Sequence, residues 1–183
     1  MTELNSITKL LIDSATTVSG KPGYGLAIPM PSAGANVLVD DMEAQVGPDD
    51  TKGDYFYVRL LNPYVEEGKY QGPKKTSCAH ARLIRAQMRL VAVSHSNNPV
   101  ILGTAFRNIV NQFQIRDIAG TNISQVEASV SRTTYVPDEV ILSEYSSKDK
   151  ADLIGQTGMA VISVDFTLTY VLEICNQPTV ELC

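Results

Sequence analysis

The run from Met159 to Ile174 constrains the fold more than any other stretch of this sequence. Its even-numbered positions from Ala160 onward are apolar, and its odd-numbered positions are mostly polar, so side chains alternate with a period of two. A helical period of 3.6 would scatter the same apolar residues around a cylinder. The run is much longer than the usual strand of about 5–6 residues. A strand of this length, with one buried face, needs long neighbouring strands and an apolar cover.

Other parts of the chain can supply those neighbours. Tyr55–Leu61 and Ala81–His95 also alternate, and we expect them to pair antiparallel across a polar loop or hairpin tip at residues 62–78. Strand character returns over residues 123–145, where Pro137 begins a predicted turn between two apolar stretches. The sequence therefore predicts a sheet dominated by antiparallel pairs.

Two helices are predicted to cover this sheet. The first spans residues 2–15, where apolar residues recur at steps of three and four, and Gly20 followed by Pro22 stops it. The second begins at Pro99, a residue type that suits the first helical position, and ends near Gln114. Helices and strands follow one another without strict β–α–β repetition. This order predicts the α+β class, a mainly antiparallel sheet covered on one face by both helices.

Residues 19–54 are rich in glycine and proline, and one apolar island, Val37–Val39, is expected to form a short strand. A connection of this length within one domain of 183 residues is either functional or disordered. Two interpretations are open: a mobile arm, and an extended arm that becomes ordered only against a neighbouring subunit. The sequence predicts one structural domain that carries this segment as an arm or loop.

The composition of the chain argues against several classes of protein. The net charge of −5 is spread without long runs, which argues against a general nucleic-acid binder. Three widely spaced cysteines do not predict a disulfide framework. The first residues lack the features of a secretory signal, and no apolar run is long enough to cross a membrane. We therefore expect folding in a reducing cytoplasm and no membrane contact.

No residue set predicts a catalytic, metal or cofactor site. Cys78 and His80 lie two positions apart, but no second pair at ligand spacing completes a tetrahedral set. The glycines Gly23 and Gly25 precede a proline-rich loop and not the start of a helix, as a phosphate-binding loop would require. The sequence thus predicts a protein without catalytic residues, metal or cofactor.

Basic residues around the second long strand allow two interpretations. Arg85 and Arg89 share one face of that strand, so cross-strand pairing with Asp165 or Glu173 is the simpler account. The alternative is an electropositive surface that contacts a partner or DNA. The candidate interface or lumen contacts are Arg85, Arg89, Lys74 and Lys75.

In the order of these elements and in the residue pattern of its strands, the chain resembles the tail terminator and tail-completion (neck) proteins of tailed bacteriophages. In the lambda-type members a similar closing strand carries an Asp-Leu-Thr-Tyr-like stretch, and Asp165–Tyr170 stands in that place here. The other stretches that carry the resemblance are the N-terminal helix, Tyr55–Leu60, His80–Leu90 and the helix that begins at Pro99. The resemblance covers residues 1–15, 55–113 and 125–174.

The resemblance implies a non-enzymatic ring component of the virion, a hexamer or dodecamer at the head–tail junction or tail end. Such a ring would assemble in the host cytoplasm and dock on a tail tube, a portal or other neck proteins. It would make at most passing contact with genomic DNA. A soluble monomeric binding module and a small enzyme with an unrecognised site are the alternatives.

Overall fold

The computed structural model of the chain describes residues 2–30, 35–38, 45–46, 54–62, 65–74, 80–94, 99–135 and 160–174. Within these residues the chain forms two helices and nine strands. In chain order they are α1 (Thr2–Ser19), β1 (Gly23–Met30), β2 (Ala35–Leu38), β3 (Gln45–Val46), β4 (Tyr55–Leu60), β5 (Glu66–Lys69), β6 (His80–Ser94), α2 (Pro99–Gln112), β7 (Gln114–Asp117), β8 (Ile123–Thr134) and β9 (Ala160–Ile174).

The two longest strands, β6 and β9, form the centre of the sheet. Each has 15 residues, and they pair antiparallel along their whole length, from His80 opposite Ile174 to Ser94 opposite Ala160. The predictions of a long closing strand and of a second long strand at Ala81–His95 are confirmed. The other strands pair with the outer edges of this central pair.

The remaining strands extend this centre to both sides in the order β3-β2-β1-β4-β6-β9-β8-β7. The β1–β4 pair is parallel, and the other pairs among the described strands are antiparallel. The predicted pairing of residues 55–61 with residues 81–95 is confirmed by β4 and β6. The stretch at residues 62–78 is more than a loop, because it contains β5, which continues along β6 beyond β4.

Both helices pack on one face of the sheet, and the main core lies between them and the strands. Ile7 and Leu11 of α1 and Phe106 of α2 are buried there against Met88 and Phe166 of the central strands. Burial of such side chains is the largest favourable contribution to folding. The predicted α+β class, with a mainly antiparallel sheet covered by two helices, is confirmed.

Helix α1 is longer than predicted and ends at Ser19. Gly20 follows it with φ of 66°, and its backbone N–H donates to the carbonyl oxygen of Thr16 at 2.9 Å. This left-handed glycine closes the last turn, which is a common way for a helix to end. The glycine stop was therefore identified correctly, but the helix also includes Thr16, Thr17 and Val18, whose helix propensity is low.

Part of the second face of the sheet is buried as well, which differs from the prediction of one buried face. Ser163, Asp165 and Glu173 of β9 are all less than 10% exposed on it. Asp165 can lie there because the guanidinium of Arg89, its cross-strand neighbour, donates hydrogen bonds to its carboxylate. The apolar part of this second core comprises Ala27, Tyr55, Tyr57, Val91, Val93 and Val161.

Part of the predicted arm belongs to the sheet. Within residues 19–54, β1 pairs parallel with β4, so this stretch is not simply a loop. The expected short strand at Val37–Val39 is confirmed by β2, which pairs antiparallel with β1. Residues 31–34, 39–44 and 47–53 lie outside the described residues, as do the predicted turn at Pro137 and the second strand beyond it. Ordering of the arm against a neighbouring subunit stays a prediction.

Candidate functional site

Four strands place a row of charged residues on the face opposite the helices. Arg59 of β4 lies opposite Arg89 of β6, which lies opposite Asp165 of β9 and then Arg132 of β8. Antiparallel pairing brings such cross-strand neighbours close together. The row therefore places three arginines and one carboxylate on neighbouring strands, and we call it the arginine row.

The carboxylate of Asp165 is the centre of the arginine row. Arg89 donates to it through Nε at 2.5 Å and through Nη2 at 3.0 Å, and Arg132 donates through Nε at 3.2 Å, with its Nη2 3.1 Å from the same oxygen. The side chains of Arg89 and Asp165 are only 4% and 11% exposed, whereas that of Arg132 is 55% exposed. A bidentate guanidinium–carboxylate pair of this kind fixes the register of β6 against β9.

This geometry confirms cross-strand pairing for Arg89 and corrects its assignment as an interface or lumen contact. A side chain this buried cannot reach a partner or DNA. Guanidinium groups also stay protonated in proteins, so the row's three arginines offer no acid or base near neutral pH. The arginine row is therefore part of the scaffold.

The exposed charges lie elsewhere, along β5 and the adjoining part of β6. Glu66 lies opposite Arg85 in the register, and the carboxylate of Glu67 accepts a hydrogen bond from Arg82. Arg85 and Lys74 are exposed, as predicted for contact residues, while Lys75 lies outside the described residues. Acidic and basic groups alternate here, so the surface suits a partner of mixed charge better than a phosphate backbone. We call β5 with Arg82 and Arg85 the charged edge.

A cleft of about 420 Å³ opens beside the charged edge, between β5 and the ends of β6 and β9. The side chains that line it include Glu67, Lys69, His80, Arg82 and Ile174. No group of three or more His, Cys, Asp or Glu side chains in the described part of the chain is placed to hold a metal ion. Cys78, which the sequence places near His80, lies outside that part. The cleft offers charged and apolar contacts for a binding partner.

Among the described residues, neither helix is long and apolar enough to cross a membrane.

The ionisation of Tyr170 in β9 makes the stability of the fold depend on pH. Its burial, with further contributions from the carboxylates of Glu3 and Glu67, raises the pKa of Tyr170 to about 12. An unfolded tyrosine ionises near pH 10, so its contribution to stability is complete below about pH 10 and is lost as the pH rises toward about 12. We expect the free energy of unfolding to fall more steeply over this range in the wild type than in Tyr170→Phe. Denaturant titrations at a series of pH values measure it, and parallel profiles would contradict it.

The chain was also compared with known proteins. A scan against family models matches no family, and a search of the curated proteins finds no match. Function is therefore inferred from the geometry described above and from the resemblance in element order.

Proposed function

We propose that this chain is a non-enzymatic structural ring component of a bacteriophage virion, at the head–tail junction or the tail end. The observation that carries the proposal is the order in which the described elements build the sheet. A helix, a long hairpin, a second helix and a closing strand follow one another as α1, β4–β6, α2 and β9. These are the elements on which the resemblance to tail terminator and neck proteins depends.

The internal construction of the sheet suits a structural role. The two central strands are paired over 15 residues, the helices cover one of their faces, and the other face buries the Arg89–Asp165 pair. Local opening of such a region would expose a large apolar area together with a buried ion pair, so its free energy cost approaches that of global unfolding. A ring subunit under mechanical load during genome passage benefits from a rigid centre of this kind.

The charge distribution fits a ring through which DNA passes. The chain carries a net charge of −5, and the charged edge mixes carboxylates with basic groups. Each tight phosphate contact would add salt-dependent affinity and hold the genome back. A surface of mixed charge can bind a protein neighbour and still let DNA pass.

Deletion of the gene from its parent genome tests the proposal. We expect filled or partly filled heads without functional tails, and recovery of infectious particles when the wild-type gene is supplied in trans. Electron microscopy of the particles and plaque counts measure the two effects. Normal infectious particles without this protein would contradict the proposal, as would turnover of a small substrate by a purified monomer.

A further inference from the structure

The segment that follows β5 is attached to strands on both sides of β9. The backbone N–H of Tyr70 donates to the carbonyl oxygen of Ala81 in β6 at 3.1 Å. The side-chain amide of Gln125 in β8 donates to the Tyr70 hydroxyl at 2.6 Å and to the carbonyl oxygen of Pro73 at 3.4 Å. Because β9 lies between β6 and β8, residues 70–73 reach across it, and we call them the strap.

Gln125 has an unusual backbone conformation at the point where it holds the strap. Among the described residues it is the one non-glycine residue with a positive φ, at 50°. This left-handed region costs free energy for any residue with a side chain. The register shows a bulge here, because β8 advances by three residues from Ser124 to Glu127 where β9 advances by two. A bulge redirects a side chain, and that of Gln125 reaches Tyr70.

The strap is also shaped around the ring of Tyr70. The space that a Cβ atom at Gly72 would need is occupied by the ring and the hydroxyl of Tyr70. A side chain at position 72 would therefore displace the ring and move its hydroxyl away from Gln125. Two residues with special backbone requirements, one on each side, thus permit the same hydrogen bond.

The strap lies on the face of the sheet opposite the helices. Glu67 of β5 pairs with Ile84, whose side chain belongs to the main core. Side chains alternate along a strand, so Tyr70, three positions after Glu67, belongs to the opposite face. On that face, at this end of the sheet, β9 carries Val171 and Glu173, which are 0% and 2% exposed. The strap reaches across β9 at their level.

We propose that the strap is a lid, closed by the Tyr70–Gln125 hydrogen bond over Val171 and Glu173, and that it opens while the sheet stays folded. β6 and β9 pair over 15 residues without it, and segments held by few contacts open at a smaller free energy than the core. Opening exposes an apolar side chain beside a carboxylate, a surface that the closed protein withholds. The inference goes beyond the virion role and does not depend on it.

Chymotrypsin cleavage after residue 70 measures the opening, because the aromatic ring must leave the sheet to enter the protease. Tyr70→Phe removes the hydroxyl and keeps an aromatic ring that the protease accepts. Gln125→Gly removes the amide that holds the strap. We expect each variant to be cut there about tenfold faster than the wild type under native conditions. Rates are normalised to those of the urea-unfolded chains, and mass spectrometry identifies the cut.

Global stability distinguishes opening of the strap from unfolding of the domain. Gln125→Gly is expected to leave the urea midpoint unchanged or raise it, because glycine adopts a positive φ without strain. Gly72→Ala is expected to open the strap by displacing the Tyr70 ring. Gln114→Ala is the matched control, since it removes an exposed glutamine amide of β7 that donates to Glu127 and not to the strap. We expect this control to be cleaved like the wild type.

Two results would overturn the lid. Cleavage of Tyr70→Phe and Gln125→Gly at the wild-type rate would show that their hydrogen bond does not hold the strap closed. Faster cleavage with a matching loss of global stability would show that the strap opens only when the domain unfolds. Neither result bears on the virion role, which the particle experiment decides separately.

Discussion

Phe166→Asp is expected to lower the free energy of unfolding by about 5 kcal/mol or more, which is comparable to the whole stability of many domains. Phe166 lies at the middle of β9 with 0% exposure, between Met88 of β6 and Val130 of β8 in the register. The substitution removes a large apolar side chain and buries a carboxylate in its place. Denaturant unfolding followed by circular dichroism measures the change.

The variant can fail to fold, so Phe166→Leu keeps the effect measurable. It leaves a smaller cavity in the same core and is expected to cost about 1–2 kcal/mol. Ser129→Asp is the matched control, because it introduces the same carboxylate at an exposed position of the adjoining strand β8. We expect this control to change stability by less than about 0.5 kcal/mol. Similar losses in Phe166→Asp and Ser129→Asp would mean that the face assignment of β9 is wrong.

The centre of the fold could be predicted because its pattern is long and regular. β6 and β9 each repeat the alternation over many residues, so the strand assignment does not depend on any single position. Helix α2 could also be predicted from the sequence, because Pro99 occupies its first position and apolar residues follow at helical spacing. Such elements determine the fold class by themselves.

The short edge strands could not be predicted in the same way. β5 and β7 have four residues each, and nearly all of their side chains are exposed. Neither strand therefore has a buried face that would impose an alternating pattern on its sequence. The long strands beside them determine where they pair, so these two exposed strands were identified only from the strand register of the structure.

The burial of the second face was missed for a different reason. Polar residues at the odd positions of β9 predicted a solvent-exposed face, but Asp165 is buried with Arg89 as its partner. The available signal was the apolar content of the same face on the neighbouring strands, at Tyr57 of β4 and Val91 of β6. When β4 and β6 are paired, Arg59 lies opposite Arg89, and both residues then belong to the arginine row.

Asp165→Ala is expected to lower the free energy of unfolding by about 3–5 kcal/mol, because it removes the carboxylate that the buried Arg89 guanidinium contacts twice. Arg132→Ala provides the comparison on the same carboxylate. Its side chain is 55% exposed, so its loss is expected to cost less than about 1 kcal/mol. Equilibrium unfolding of both variants measures the difference, and equal losses would contradict the assignment of Arg89 as the main partner.

The double variant Arg89→Met with Asp165→Leu measures how much the buried ion pair contributes to the free energy of unfolding. Burying two charges costs desolvation energy, so replacing both with apolar side chains of similar size is expected to return most of the stability lost in Asp165→Ala. The expected gain is about 2 kcal/mol or more over that single variant. If the double variant is as unstable as Asp165→Ala, the instability comes from repacking of the second face and not from the unmatched charge.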